Sequence, residues 1–540
     1  MSVKFRESQS DFEVAAPILY LPGGSLYHPT RDSIAGIHEE RCKQKIVVTG
    51  TFPTRQSESG VLVETIRDPE NPERLIFLRW ENGSATIFHH IEREGRIFLP
   101  PDPTSRSFPL LSLPDGLLPC GNPAELLAEI CCLISKFVRL GHEQLLVVAS
   151  FVLASWFPDC FEAAPYLWVV GPFGSAKTTL LKLLSCLCRR GLIAGDLRAG
   201  SLYKLTDTWD PTLILDEFEL GNSRADAELR RLLRSGSVPG VPAFRNGQRF
   251  STYGLKVIGS REPIGDPALL SRGPIVSLLP ADDDLLPLDE AAMQQIAREY
   301  QAMLLTFRLK NHLAVKNFRM PPNALQGLSG RTKQIARALT APLLGDPEST
   351  EKVLAILVEY DEESLIERSL EPEWLVAESL FDLVHEGLDT GRVASEILMG
   401  GVAAHVNKKL ADHGEDFRLK ARRAGQVVKG LGLRTKRLGR WGRGLSLTSS
   451  VKRKIHEIAR QLGFDRRAIV PFSALEHGYG GPPCSLCEET GVTGGLRFVD
   501  IKKSRSAACP LPQRRPVFDH MAANDKENRA LAQEDGDQPS

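Results

Sequence analysis

Apolar and polar positions change period along this chain, and each change marks a boundary. Up to residue 118 the apolar runs are short. Residues 61–66, 75–80 and 85–90 are rich in β-branched and aromatic side chains and predict strands. Between the last two, Asn82-Gly83 supplies the pair a type I′ hairpin turn needs, because both central residues take positive φ there. A β-rich N-terminal domain is predicted over 1–118, with the proline-rich stretch 99–119 as its linker. Asn122-Pro-Ala-Glu125 then announces a helix: asparagine accepts from the first free amides, proline suits the first helical position, and Glu125 reaches back. Two apolar helices are expected up to Trp156. Over 161–285 strand-like and helix-like segments alternate, which predicts an α/β fold with a largely parallel sheet and crossover helices. Residues 291–307 and 331–344 place apolar side chains three and four apart, inside a helical lid expected over 286–385. A small basic module is expected over 386–465. The remainder, 466–540, is rich in glycine, proline and charge and is expected to be disordered past about residue 504. No internal repeat is visible.

The chemistry concentrates in the alternating region. Tyr166-Leu-Trp-Val-Val170 reads as a buried strand and runs straight into Gly171-Pro-Phe-Gly-Ser-Ala-Lys-Thr178, with a helical run at 179–188 behind it. Strand, glycine loop, lysine, hydroxyl and helix come in the order of a P-loop. The amides of Gly174, Ser175, Ala176, Lys177, Thr178 and Thr179 would face a phosphate at a helix N-terminus, where partial positive charge favours it, with Gly171 opening the loop. Lys177 would put a full charge on the β- and γ-phosphates of ATP, and the Thr178 hydroxyl would complete a Mg²⁺ ligand set. The usual glycine before the lysine is Ala176 here. Its methyl is tolerable if the residue is near helical geometry, but it narrows the space beside the phosphates.

Thr212-Leu-Ile-Leu-Asp-Glu217 supplies the other half, an apolar strand ending in two carboxylates. Asp216 would hold the magnesium and Glu217 would polarise the attacking water. Ser260, at the end of the next strand candidate (255–259), could orient that water. Arg272 could reach a γ-phosphate in a neighbouring subunit, and Arg331 could do so from the helical lid. Each arginine has a plain alternative as a solvated charge.

From about 122 to 344 the chain resembles the AAA+-like, helicase-related P-loop ATPases found beside primases in bacterial mobile elements and phages. The residues that carry the resemblance are APYLWVVGPFGSAKTTLLKLL (164–184), TLILDEFE (212–219), LRRLLRSGSVPG (229–240), ALLSRGPIVSL (268–278) and LSGRTKQIARALTAPLLGD (328–346). It implies ATP hydrolysis, often by ring assemblies acting on nucleic acid.

Total charge adds nothing about partners, since 67 lysines and arginines balance 67 acids. Its distribution does: residues 401–460 hold sixteen lysines and arginines against Asp412, Glu415, Asp416 and Glu457. A helix is expected from Arg418, with Leu419, Val427 and Val428 on its apolar side. A hairpin with a basic tip at Gly439-Arg-Trp-Gly-Arg-Gly444 and a closing helix over 451–461 follow. The set resembles a winged-helix domain, in which the helix around Arg422 would face a groove and Arg440 and Arg443 would meet phosphate. DNA is the expected partner of 418–444. The plain alternative is a basic face for protein contact.

Ten cysteines lie scattered without framework spacing, the N-terminus has no secretory pattern, and the longest apolar run, 145–157, falls short of the roughly 20 residues that span a bilayer. A cytoplasmic protein that does not enter the membrane is expected. Cys484-Ser-Leu-Cys487 has the spacing of half a zinc site, but no second pair follows. His477, Cys509 and His520 are the nearby candidates, and an idle pair is the preferred reading. Two functions stay open: an ATP-driven helicase-like motor on DNA, assembled as a ring, and a nucleotide-switched DNA-binding regulator with slow turnover.

Overall fold

The computed structural model describes residues 6–7, 46–49, 61–93, 96–104, 111–219, 221, 223–280, 285–326, 328–368, 371–386, 394–412, 417–462 and 484–490. The chain forms two compact units, Met1–Ser369 and Leu370–Ser540.

In the first unit, β1 (Tyr166–Val170), β2 (Gly191–Ala194), β3 (Thr212–Leu215), β4 (Lys256–Ser260) and β5 (Ile275–Ser277) form one parallel sheet in the order β5-β1-β4-β3-β2. All five residues of β1 are buried, as a strand covered on both faces requires. Alternate residues serve the two faces. Leu167 and Val169 pack with α1 (Pro123–Ser135), α2 (His142–Ser155) and α3 (Lys177–Leu187). Tyr166, Trp168 and Val170 pack with Leu229, Leu232 and Leu233 of α4 (Arg224–Ser235). The capping box read at Asn122 forms: its side chain accepts from the Glu125 amide at 2.9 Å and Glu125 accepts from the Asn122 amide at 3.0 Å.

The regions expected as three modules share one core. α5 (Glu290–Asn317), α6 (Gly330–Thr340) and α7 (Pro347–Arg368) place Leu304, Phe307, Ile335, Leu339, Val353 and Leu357 in the same cluster as α1–α3. α5 runs ten residues past the expected 307, since no glycine or proline stops it before Pro321. The strands Val61–Arg67, Leu75–Glu81 and Ser84–Phe88 are antiparallel neighbours, and Asn82 and Gly83 turn between the last two at φ 50° and 78°. Their Leu62, Ile66, Ile76 and Leu78 also join that core, and from the linker Leu111 packs under the sheet. An ionic knot fastens the junction. Buried Glu64 accepts from Arg189 at 2.9 and 3.1 Å, Arg190 at 3.1 Å and Arg308 at 2.8 Å.

The expected 286–385 lid therefore straddles the boundary between units. α8 (Pro372–His385) starts afresh at a proline and buries Leu375, Val376, Leu380 and Val384 in the second unit. There β6 (Glu396–Leu398), β7 (Lys436–Arg437) and β8 (Arg443–Ser446) form an antiparallel sheet in the order β6-β8-β7, with α9 (Met399–Asp412), α10 (Ala421–Gly430) and α11 (Ser449–Leu462) around it. α10 begins at Ala421 rather than at Arg418. Asn407 clamps the Leu419 backbone, accepting from its amide at 2.6 Å and donating to its carbonyl at 3.0 Å, and Lys420 stays extended as the cap. Among the described residues no helix is long and apolar enough to cross a membrane. The tail beyond 504 lies outside them.

Candidate functional site

The carboxyl edge of the sheet gathers the residues singled out in the sequence. β1 feeds the glycine loop directly into α3. Gly171 has no room for a side chain, because a Cβ would meet the Leu278 carbonyl oxygen at 2.5 Å. Gly174 takes φ +77°, where glycine is at ease. Ala176 does not have the near-helical geometry its methyl was expected to require. It caps α3 in the left-handed region, at φ 60° and ψ 22°. The chain needs that reversal to turn loop into helix, and an L-residue there costs roughly 1–2 kcal/mol. Ser175 is buried and its hydroxyl donates to the Pro172 carbonyl at 2.8 Å, closing the loop from inside.

Lys177 opens α3 and folds back, its Nζ donating to the carbonyls of Gly171 at 2.6 Å and Pro172 at 2.8 Å. Thr178 Oγ1 donates to Asp216 Oδ2 at 2.9 Å, a contact across 38 residues that joins the loop to the end of β3. Asp216 Oδ1 accepts from the Glu217 amide at 2.9 Å, and Glu217 turns the chain at φ 49°. Thr179 is half-buried in the first turn of α3. β4 lies between the loop strand and the acid strand, and its last residue, Ser260, pairs in register with Val170. The Ser260 side chain is buried and its hydroxyl donates to the Glu262 carbonyl at 2.7 Å, which leaves it only its acceptor lone pairs for a water.

The two arginines lie elsewhere. Arg272 accepts the Tyr166 amide on its carbonyl at 2.9 Å, which puts it at the amino end of β1, roughly 16 Å of strand from Gly171. It is buried, and its guanidinium donates to the Arg234 carbonyl at 3.0 and 2.5 Å. Burial and then the neighbouring charge of Arg331 lower its pKa from the ordinary value. Arg331, half-buried in the first turn of α6, therefore sits with Arg272 and not at the loop of its own chain. In this chain the Arg272 guanidinium ties α4 to the sheet.

In the second unit the apolar side of α10 is Ala424, Val427 and Val428, with Arg422 and Arg423 exposed opposite. The β7–β8 hairpin exposes Lys436, Arg437, Arg440 and Arg443, and its tip carries Trp441, 69% exposed, with the Arg440 guanidinium 4.8 Å from the ring centroid. A second hairpin, Ala243–Arg245 with Gln248–Phe250 in the first unit, is not among the expected elements. It exposes Phe244 and Arg249 around Asn246-Gly247, a turn signal of the same kind as Asn82-Gly83.

The arrangement can do definite chemistry. A lysine ammonium at a helix start is a combination of the kind anions bind, and a hydroxyl and a carboxylate side by side are hard oxygen ligands of the kind magnesium takes. A further carboxylate, Glu217, follows at once. No known protein family matches the chain, and no curated protein matches it. Among solved structures, an A-form apo structure of the NrS-1 C-terminal region is similar over 72% of this chain and 97% of that one, at 11% identity and a TM-score of 0.31. Another apo structure of that region covers the same shares at 12% identity and a TM-score of 0.29.

Proposed function

We propose that this chain is an ATP-hydrolysing, helicase-like motor acting on DNA. The observation that carries the reading is the 2.9 Å contact between Thr178 Oγ1 and Asp216 Oδ2. It brings a hydroxyl at a helix start and a carboxylate at a strand end to one point at the carboxyl edge of a parallel sheet, where open α/β sheets bind ligands. Thr178 and Asp216 would hold Mg²⁺ there, and the ion supplies charge neutralisation at the phosphates. Lys177 would exchange the Gly171 and Pro172 carbonyls for the terminal phosphates. Glu217, next to Asp216, would accept a proton from the attacking water. The exposed arginines of α10 and the β7–β8 tip, and the Phe244–Arg249 hairpin, pair positive charge with aromatic faces, which suits a nucleic acid backbone and unstacked bases. Arg272 already serves the Arg234 carbonyl, so the reading does not depend on a ring in which that arginine acts on a neighbour.

The other reading, a DNA-binding switch with slow turnover, is favoured by one feature: the Ala176 methyl in a left-handed turn beside the phosphate position. ATPase assays with and without single- and double-stranded DNA separate the two. Strong stimulation supports the motor, and tight DNA binding at an unchanged slow rate supports the switch. Glu217→Gln should bind ATP nearly as the parent does while hydrolysing it roughly 10²-fold more slowly or worse. A Glu217→Gln protein that turns over ATP at the parental rate removes Glu217 from the mechanism.

A further inference from the structure

The cysteine pair finds its partners far upstream in the chain. Cys484 precedes a short helix, α12 (Ser485–Thr490), which carries Cys487; His385 ends α8 and His456 lies within α11. Their donor atoms converge: all four lie within 4.8 Å of one another. His385 Nε2 is 3.2 Å from Cys487 Sγ, His456 Nε2 is 3.5 Å from Cys484 Sγ, and the two Nε2 atoms are 3.2 Å apart. A tetrahedral zinc ion, with nitrogen at about 2.1 Å and sulfur at about 2.3 Å, sets about 3.4 Å between two nitrogens and about 3.6 Å between nitrogen and sulfur. The three observed separations, 3.2, 3.5 and 3.2 Å, lie within about 0.4 Å of those of a tetrahedral ligand shell.

Proton accounting points the same way. His385 Nδ1 is 2.6 Å from the Phe381 carbonyl and His456 Nδ1 is 2.7 Å from the Lys452 carbonyl. A carbonyl only accepts, so each Nδ1 carries the proton, and each Nε2 of the neutral ring presents a lone pair. Both imidazoles are buried, and Phe381 packs against the two rings with centroids 4.3 and 5.2 Å away. Two thiols could each donate to one Nε2, but that leaves the two acceptor nitrogens facing one another across 3.2 Å. A disulfide would leave them so as well. A cation bound by all four atoms removes that repulsion and satisfies each donor.

We propose that His385, His456, Cys484 and Cys487 form a structural Cys₂His₂ zinc site. Four protein ligands close the tetrahedron and leave no position for substrate. The backbone carbonyls of Phe381 and Lys452 are the outer partners that orient the rings. The ion fastens the Cys484–Thr490 segment to α8 and α11. α12 has six residues, too few to be stable alone, and the Arg453–Glu489 pair at 3.1 Å is more than half exposed on both sides.

The test uses the full chain. After exhaustive dialysis against metal-free buffer, elemental analysis should find about one zinc per chain, as expected for a tightly held structural ion. Protein refilled with Co²⁺ should show tetrahedral d–d bands and a thiolate-to-cobalt charge-transfer band. X-ray absorption at the zinc edge should fit two sulfur and two nitrogen neighbours. Cys484→Ser combined with Cys487→Ser should abolish the metal and the charge-transfer band. A far-ultraviolet circular dichroism spectrum and a cooperative urea transition like the parent's report that the variant has folded. Should the variant not fold, the dialysis, cobalt and absorption measurements on the parent decide alone. A parent chain that retains no zinc, or a zinc whose shell lacks two sulfurs, overturns the site. So does a folded double variant that keeps its zinc.

Discussion

Replacing Glu64 by glutamine should unfasten the N-terminal strands from the rest of the first unit. In the parent, Glu64, Asp159 and Asp210 face Arg189, Arg190 and Arg308, three charges of each sign, with Glu64 and the three arginine side chains at most 4% exposed. Glutamine keeps the volume and removes one negative charge, leaving three buried cations against two carboxylates. Breaking a buried pair in this way costs about 3–5 kcal/mol. The titration behaviour gives a second route to the magnitude. Burial alone would raise the Glu64 pKa, but Arg189, Arg190 and Arg308 outweigh it and hold the group at about 2, against an ordinary 4.5. A difference of that size corresponds to about 3 kcal/mol. Because the folded pKa is the lower one, this stabilisation is fully present above pH 4.5 and is lost as pH falls towards 2. Urea unfolding followed by the fluorescence of Trp156 and Trp168, both buried in this unit, should show the glutamine protein weaker by about 3–5 kcal/mol at pH 7. The gap should narrow as the parent is acidified. A variant within about 1 kcal/mol of the parent at pH 7, or a gap that ignores pH, would refute the reasoning.

Ala176→Gly should stabilise the first unit by about 1 kcal/mol, because glycine takes φ 60° without strain and this outweighs the extra freedom it gives the unfolded chain. It should also tighten ATP binding by widening the loop; a less stable variant with weaker nucleotide affinity would mean the left-handed turn is not strained. Arg440→Ala with Arg443→Ala should weaken DNA binding while leaving the DNA-free ATPase rate unchanged. With each arginine neutralising one phosphate, the slope of log affinity against log salt should fall by about 1.8 for duplex. A salt titration with unchanged affinity and slope would turn the hairpin into a protein-docking surface.

What can be read from the chain alone is written in short-range chemistry. The buried strand at 166–170, the glycine loop, the helix behind it and the apolar strand before Asp216 and Glu217 all stand where their patterns put them, because periodicity, caps and turn residues act within a few positions. Asn82-Gly83 and Asn122 behave as expected for the same reason, and Asn246-Gly247 carries an equally local signal. The backbone of Ala176 departs from expectation, because its angles follow from how strand and helix must join and not from its own side chain. Three expected modules became one core because the apolar faces of α5–α7 could close either a separate lid or the sheet, and only packing chooses. The Glu64 knot joins residues 125 and 244 positions apart, and the partners of Cys484 and Cys487 lie 28 and 102 positions upstream. No local pattern records such meetings. The sequence determined which elements form and where the glycine loop, its lysine and the two carboxylates fall along them. The tertiary structure decided which buried charges are balanced, which arginines are committed, and where four metal-ligating side chains meet, because each depends on contacts that exist only once distant segments have packed.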